Sequence, residues 1–171
     1  MKAVLLEVFR WITTFLAAAI LALFINNFII INARIPSQSM EQTIMTGDRL
    51  FGFRLAYLFE DPKRGDIIIF NDPDIEGRKL IKRIIGMPGD TVDIKDGVVY
   101  INGEELIEDY LGSNDGESYG PYEVPEGHYF MMGDNRAHSG DSRMWKNTYL
   151  AREDILGKAI FRYWKTPKLI K

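Results

Sequence analysis

Between Arg10 and Arg34 the chain carries no charged side chain, and residues 11–31, WITTFLAAAILALFINNFIII, are almost wholly apolar. About 20 residues of this kind form a helix that crosses a bilayer core. A cleaved signal peptide would have a shorter apolar run and a small-x-small site, and Ile31-Asn32-Ala33 is a poor one. A core helix of this length would carry a polar stripe, which is missing. The pattern predicts one uncleaved transmembrane anchor at 11–31, between a short stretch at 1–10 and a domain at 32–171. Trp11 suits one interface. Asn26 and Asn27 fit poorly in lipid unless they reach the other interface or face another helix. Lys2 and Arg10 outweigh Glu7, which places residues 1–10 in the cytoplasm and the domain outside the cell membrane.

Past the anchor the pattern changes from helical to strand-like. Asp66–Phe70 is a short apolar run between Gly65 and Asn71-Asp72-Pro73, as in a buried strand, and Leu80–Ile85 is another. Thr91–Lys95 and Val98–Ile101 flank Asp96-Gly97, a strong hairpin signal, and Asn102-Gly103 supplies a second turn. His128–Met132 and Ala159–Trp164 complete the strands. Only Tyr149–Leu156 reads as helix. Leu111–Gly120 reads as a mobile polar loop. Phe51–Phe59 reads equally well as core and as an aromatic surface dipping into lipid. The tail from Trp164 to Lys171 reads as a last strand with a frayed end, or as a lipid contact. The prediction is mainly β: an antiparallel β-sheet domain, barrel- or sandwich-like, behind one N-terminal transmembrane helix.

Composition narrows the chemistry. The chain has 171 residues, no cysteine and a net charge of −3. Disulfides, Cys-based zinc sites and a thiol nucleophile are excluded. Residues 1–35 hold Lys2, Arg10 and Arg34 against Glu7, which leaves 18 basic and 23 acidic residues downstream, a net −5. A nucleic-acid partner is not supported by that balance. No cofactor or metal is implied, since neither His128 nor His138 lies in an HExxH pattern and the 132–143 spacing fits no EF-hand.

Three segments carry candidate chemistry. Ile35-Pro36-Ser37-Gln38-Ser39-Met40 directly follows the anchor. In the second, alternation puts Leu80, Lys82 and Ile84 on one face of a strand and Ile81, Arg83 and Ile85 on the other. A lysine between two apolar neighbours either packs its stem and sends the ammonium to water, or is desolvated and neutral. Acting as a base near pH 8 requires its pKa to fall by roughly 2–3 units, about 3–4 kcal/mol, which burial can supply. A neutral amine could then take the proton of a serine hydroxyl. The third segment, 132–143, is either a solvated loop of turn formers or a polar shell fixing the other two.

Together these segments resemble the type I signal peptidases, membrane-bound Ser–Lys endopeptidases that remove signal peptides. PSQSM at 36–40, RGDIIIF at 64–70, KRIIGMPGD at 82–90 and GDNRAHSGDSR at 133–143 carry the resemblance, in this order after an anchor. It implies a β-rich catalytic domain close to the membrane, with Ser39 as nucleophile and Lys82 as general base. Ser37 and the Ser39 N–H would form the oxyanion hole, and Ser139 would orient Lys82. Asp141–Arg143 and Arg83–Asp134 would be supporting pairs. The implied partners are the bilayer and the signal peptides of exported preproteins, cut after small residues at P1 and P3. The substrate would bind as a strand between 33–37 and 79–82, with Ile35, Pro36, Met40 and Ile81 walling the pockets. Gln42 departs from the family pattern, which has a proline there, and Ala137-His138 replaces a common Asp-Asn. Rival readings are a Ser39–His138–Asp141 triad, a soluble self-cleaving repressor protease, and a tethered β domain that binds exported chains without cutting them.

Overall fold

The computed structural model describes residues 2–170. Met1 and Lys171, the ends of the expected cytoplasmic stretch and of the basic tail, lie outside them. Helix α1 spans Lys2–Phe24 and continues into a π-helical turn, Ile25–Ile29. Val4–Ile29 is long and apolar enough to cross a membrane, and no residue of its 18-residue apolar window is buried by the rest of the protein. A core helix would bury one face, whereas here Leu5, Phe15 and Leu21 all remain mostly exposed. The helix fits a lipid anchor. It begins earlier than the expected 11–31, and Ile30 and Ile31 leave it for strand β1 (Ile30–Arg34), where pairing with β2 (Arg49–Phe53) satisfies their backbone.

The other strands are β3 (Ile67–Asn71), β4 (Lys79–Gly86), β5 (Thr91–Lys95), β6 (Val98–Ile101), β7 (Glu104–Glu105), β8 (Tyr119–Glu123), β9 (His128–Met132), β10 (Leu150–Ala151), β11 (Ile155–Arg162) and β12 (Lys168–Leu169). The chain is mainly antiparallel β, as expected. The larger sheet runs β1-β2-β11-β3-β4-β9-β10, with β12 beside β11, and the smaller runs β7-β6-β5-β8. Strand β3 is apolar from Ile67 to Phe70 because both its faces are covered. Ile67 and Ile69 pack with Ile35, Met40, Ile44 and Leu50, while Ile68 and Phe70 pack with Ile84, Met131 and Leu150. The smaller sheet turns at Asp96-Gly97 and Asn102-Gly103, where all four residues have positive φ, the geometry that matches strand twist. Its Val92, Ile94, Val99 and Ile101 pack against Ile85, Phe130 and Met132 of the larger sheet.

Three expectations change. Tyr149–Leu156 is not a helix: Leu150 and Ala151 pair with β9, a single 3-10 turn covers Arg152–Asp154, and Ile155 opens β11. The last long strand therefore starts four residues before Ala159. The 111–120 loop is pinned, with Gly112 N donating to Asp134 O at 3.0 Å and Arg136 N to Ser113 O at 2.9 Å. The aromatic stretch divides. Phe51 stacks on Tyr163 at 4.3 Å between ring centres, whereas Leu58 and Phe59 project from the surface, Phe59 93% exposed. They follow a 3-10 turn, Arg54–Tyr57, that lies against the π-helical end of the anchor.

Candidate active site

Residues 35–48 form a turn rooted in the core. Ile35, Met40 and Ile44 are buried, and Ile35 N donates to Asp48 O at 3.0 Å while Gly47 N returns to Ile35 O at 2.8 Å. Within the turn Ile44 N donates to Met40 O at 2.8 Å, which curls the chain just past Ser39. Asn135 grips this turn from outside: its N–H donates to Ser39 O and its Nδ2 to Gln38 O, both at 3.1 Å. Ser39 is thereby held with its side chain almost out of solvent. Its own N–H makes no hydrogen bond among the described residues, and Ser37 Oγ lies 3.4 Å from Ser39 Oγ.

Lys82 enters from β4. It is 3% exposed, and its Nζ donates to Ser39 Oγ at 2.6 Å. Burial pulls its pKa down from the ordinary 10.5 to about 8, against the opposing pull of the Asp141 and Asp134 carboxylates. Both carboxylates are already engaged. Asp134 takes two charge-assisted hydrogen bonds from Arg83, at 2.9 and 2.7 Å, and a third from Thr43 Oγ1 at 2.5 Å. Arg83 also donates to Gly65 O and lies 3.7 Å from the Tyr110 ring centre. Asp141 is gripped by Arg143 through Nε at 2.8 Å and Nη2 at 2.9 Å, and accepts the Gly133 N–H at 3.0 Å. Desolvation outweighs the upward pull of the two carboxylates, and the Arg143 and Arg78 charges add to the lowering.

Ser39, Lys82 and Ser37 thus meet, with Arg83–Asp134 and Asp141–Arg143 packed around them as ion pairs. Ser139 is placed differently from its expectation. Its Oγ is buried against Gly133 and has no hydrogen-bond partner among the described residues, Lys82 included. Met40 also departs from expectation: it is fully buried with Ile31, Ile35 and Ile44 and does not line the groove between β1 and β4. Pro36, Ile35 and Ile81 do line a groove of about 420 Å³ between β1 and β4. His138 is exposed, bonds Asn135 Oδ1 at 3.2 Å, and touches neither Ser39 nor Asp141, so the Ser39–His138–Asp141 arrangement is not assembled.

Sequence reasoning missed Asn135, Thr43, Gly133 and Asp115. Asn135 and Gly133 lie inside the motif at 133–143, whose density of polar groups was their signal. A side chain at Gly133 would collide with Ser139 Oγ and the Ser39 carbonyl. Asp115, on the pinned loop, pairs with Arg143 from the side opposite Asp141, and nothing in its sequence neighbourhood announces that.

The family model for signal peptidase, peptidase S26, matches residues 8–164. A probable signal peptidase I-2 of Synechocystis sp. is 42% identical over 161 residues, covering 91% of this chain and 73% of that protein. A signal peptidase I of Bacillus licheniformis is 41% identical over 147 residues, covering 80% and 78%. The crystal structure of a signal peptidase I from Enterococcus faecalis superposes with a TM-score of 0.51 at 36% identity, covering 58% of this chain and 97% of that one. With a family match across nearly the whole chain, and relatives this similar over most of their own length, the chain belongs to the S26 signal peptidase family of serine peptidases.

Proposed function

We propose that this chain is a membrane-anchored type I signal peptidase that cuts exported preproteins after small residues at P1 and P3, with Ser39 as nucleophile and Lys82 as general base. The observation that carries the reading is the 2.6 Å contact between a buried lysine amine and a serine hydroxyl. As the pH rises past about 8 the amine becomes mostly neutral, and its lone pair accepts the Ser39 proton along that same line. Ser39 Oγ attacks the scissile carbonyl. The oxyanion takes hydrogen bonds from the free Ser39 N–H and from Ser37 Oγ, and losing one such donor costs about 10²–10³ in rate. The Lys82 ammonium then protonates the leaving amine. Water, deprotonated by the same amine, releases the acyl group and restores Ser39.

The substrate lies extended in the groove between β1 and β4, adding a strand to edges at 33–37 and 79–82. Ile35, Pro36 and Ile81 supply apolar walls there. Arg83–Asp134 and Asp141–Arg143 act as supports, holding β4 and the 133–143 loop in register around Lys82. Residues 1–10 lie in the cytoplasm and the β domain beyond the outer face, an orientation supported by the charge balance before the anchor.

The test is turnover of a preprotein by the purified chain in lipid vesicles. Ser39→Ala and Lys82→Ala each reduce kcat by at least about 10³, with the protein still folded by circular dichroism. Wild-type rates in both variants contradict the assignment, and a lasting effect of His138→Ala alone would return it to histidine chemistry.

A further inference from the structure

The reading above leaves Asn26 and Asn27 without a purpose. Both sit on the π-helical turn Ile25–Ile29, closed by the Ile30 N–H donating to Ile25 O. Such turns concentrate at functional sites. Both side chains are exposed, and among the described residues neither carboxamide has a hydrogen-bond partner. Both line the groove that also holds Ile35, Pro36 and Ile81. Arg34, Arg54 and Lys79 line the same groove, and no carboxylate does. Arg54 belongs to the 3-10 turn resting on the π turn, and its Nε is buried with no acceptor.

A groove so furnished with amide and cationic donors is complementary to a cluster of carbonyl oxygens. The C-terminal end of a helix is such a cluster: its last four C=O groups lack intrahelical partners, and its dipole end is negative. A signal segment is apolar and helical in lipid, yet must be extended at the cut. Its helix must therefore end before the cut, and carbonyls freed at the hydrocarbon edge are costly unless something donates to them.

We propose that Asn26, Asn27 and Arg54 form a subsite for the C-terminal turn of the substrate's apolar helix, at the membrane end of the groove. The ligand is main-chain carbonyl, so the subsite accepts many apolar sequences. The proposal rests on the signal peptidase reading and extends its groove beyond P3.

The experiment uses the full chain in phosphatidylcholine–phosphatidylglycerol vesicles, with two substrates: a preprotein retaining its apolar helix, and a short soluble peptide spanning only the cut. For Asn26→Leu/Asn27→Leu and for Arg54→Gln, the expected result is a roughly tenfold fall in preprotein kcat/KM, carried by KM, with the preprotein-to-peptide ratio falling by the same factor. An unchanged ratio overturns the subsite. The lack of cysteine allows a second measurement that does not depend on those variants. Asn27→Cys in a Ser39→Ala background should cross-link to single cysteines in the preprotein, with a maximum at the end of its apolar helix. A maximum elsewhere, or no cross-link, overturns the subsite. A wild-type chain that cleaves neither substrate overturns the protease reading and the subsite with it. That outcome is distinct from both substrates being cleaved at an unchanged ratio.

Discussion

In the proposed mechanism Lys82 is the residue on which the chemistry turns. Leu80 and Ile84 on either side of it leave two readings open, an ammonium reaching water along a packed stem or a desolvated amine, and the structure has the second, with Lys82 3% exposed. Its 2.6 Å approach to Ser39 is implied by the family resemblance alone, since local pattern says nothing about two residues 43 positions apart that meet through the folding of β4 against the 35–48 turn. The depressed pKa also has a cost in stability. Between about pH 8 and 10.5 the folded chain holds fewer protons than the unfolded one, so stability rises with pH across that window, and below it the penalty of burying the ammonium is fully present. Gly133 tests how tightly the site is packed. Its missing side chain is what lets Ser139 and the Ser39 carbonyl close together. Gly133→Ala should lower kcat by about 10² through displacement of Ser39 and destabilise the fold by about 1–3 kcal/mol from overpacking, measured by preprotein turnover and by urea titration. Wild-type turnover in Gly133→Ala would show that the close contact does not position the nucleophile.

At the scale of elements, the 35–48 turn holds one of the two departures of this chain from the family pattern. Gln42 has φ +87°, a left-handed value that a proline ring, fixed near −65°, cannot adopt. Gln42→Pro, although it restores the residue the family pattern favours, should cost more than about 1 kcal/mol in stability and lower turnover, because the backbone just past Ser39 must re-route. Thermal unfolding and preprotein cleavage measure both effects, and a neutral or stabilising result would mean the turn relaxes readily. Elements defined by local rules were legible in the sequence. The turns at Asp96-Gly97 and Asn102-Gly103 need positive φ, and β3 needs apolar residues on both faces. Elements defined by distant partners were not. Ala151-Arg152-Glu153-Asp154 has helix-forming residues, but pairing to β9 and β3 overrides that preference. The 111–120 loop has the composition of a mobile segment, yet it is held by Asp134, Arg136 and Arg143; the resemblance gives Asp134 and Arg143 a supporting role at the site, and nothing in the sequence ties any of the three to this loop.

In the whole molecule, on the proposed mechanism, a lipid-fitting helix brings the buried Lys82 amine and the Ser39 hydroxyl to the place where a membrane-borne substrate would emerge. Holding enzyme and substrate in one bilayer raises their effective concentration. Deleting residues 2–24 should lower preprotein kcat/KM by roughly 10²-fold while sparing the short soluble peptide, which gains nothing from the tether. Equal losses on both substrates would instead point to a folding role for the helix. The most direct test of the central claim is the pH dependence of kcat/KM for the intact chain acting on a preprotein in vesicles. The account predicts an ascending limb with a midpoint near 8, the pH at which buried Lys82 loses its proton, and no such limb in the residual activity of Lys82→Ala. A limb centred at about 6.5, where histidine titrates, and abolished by His138→Ala would contradict it.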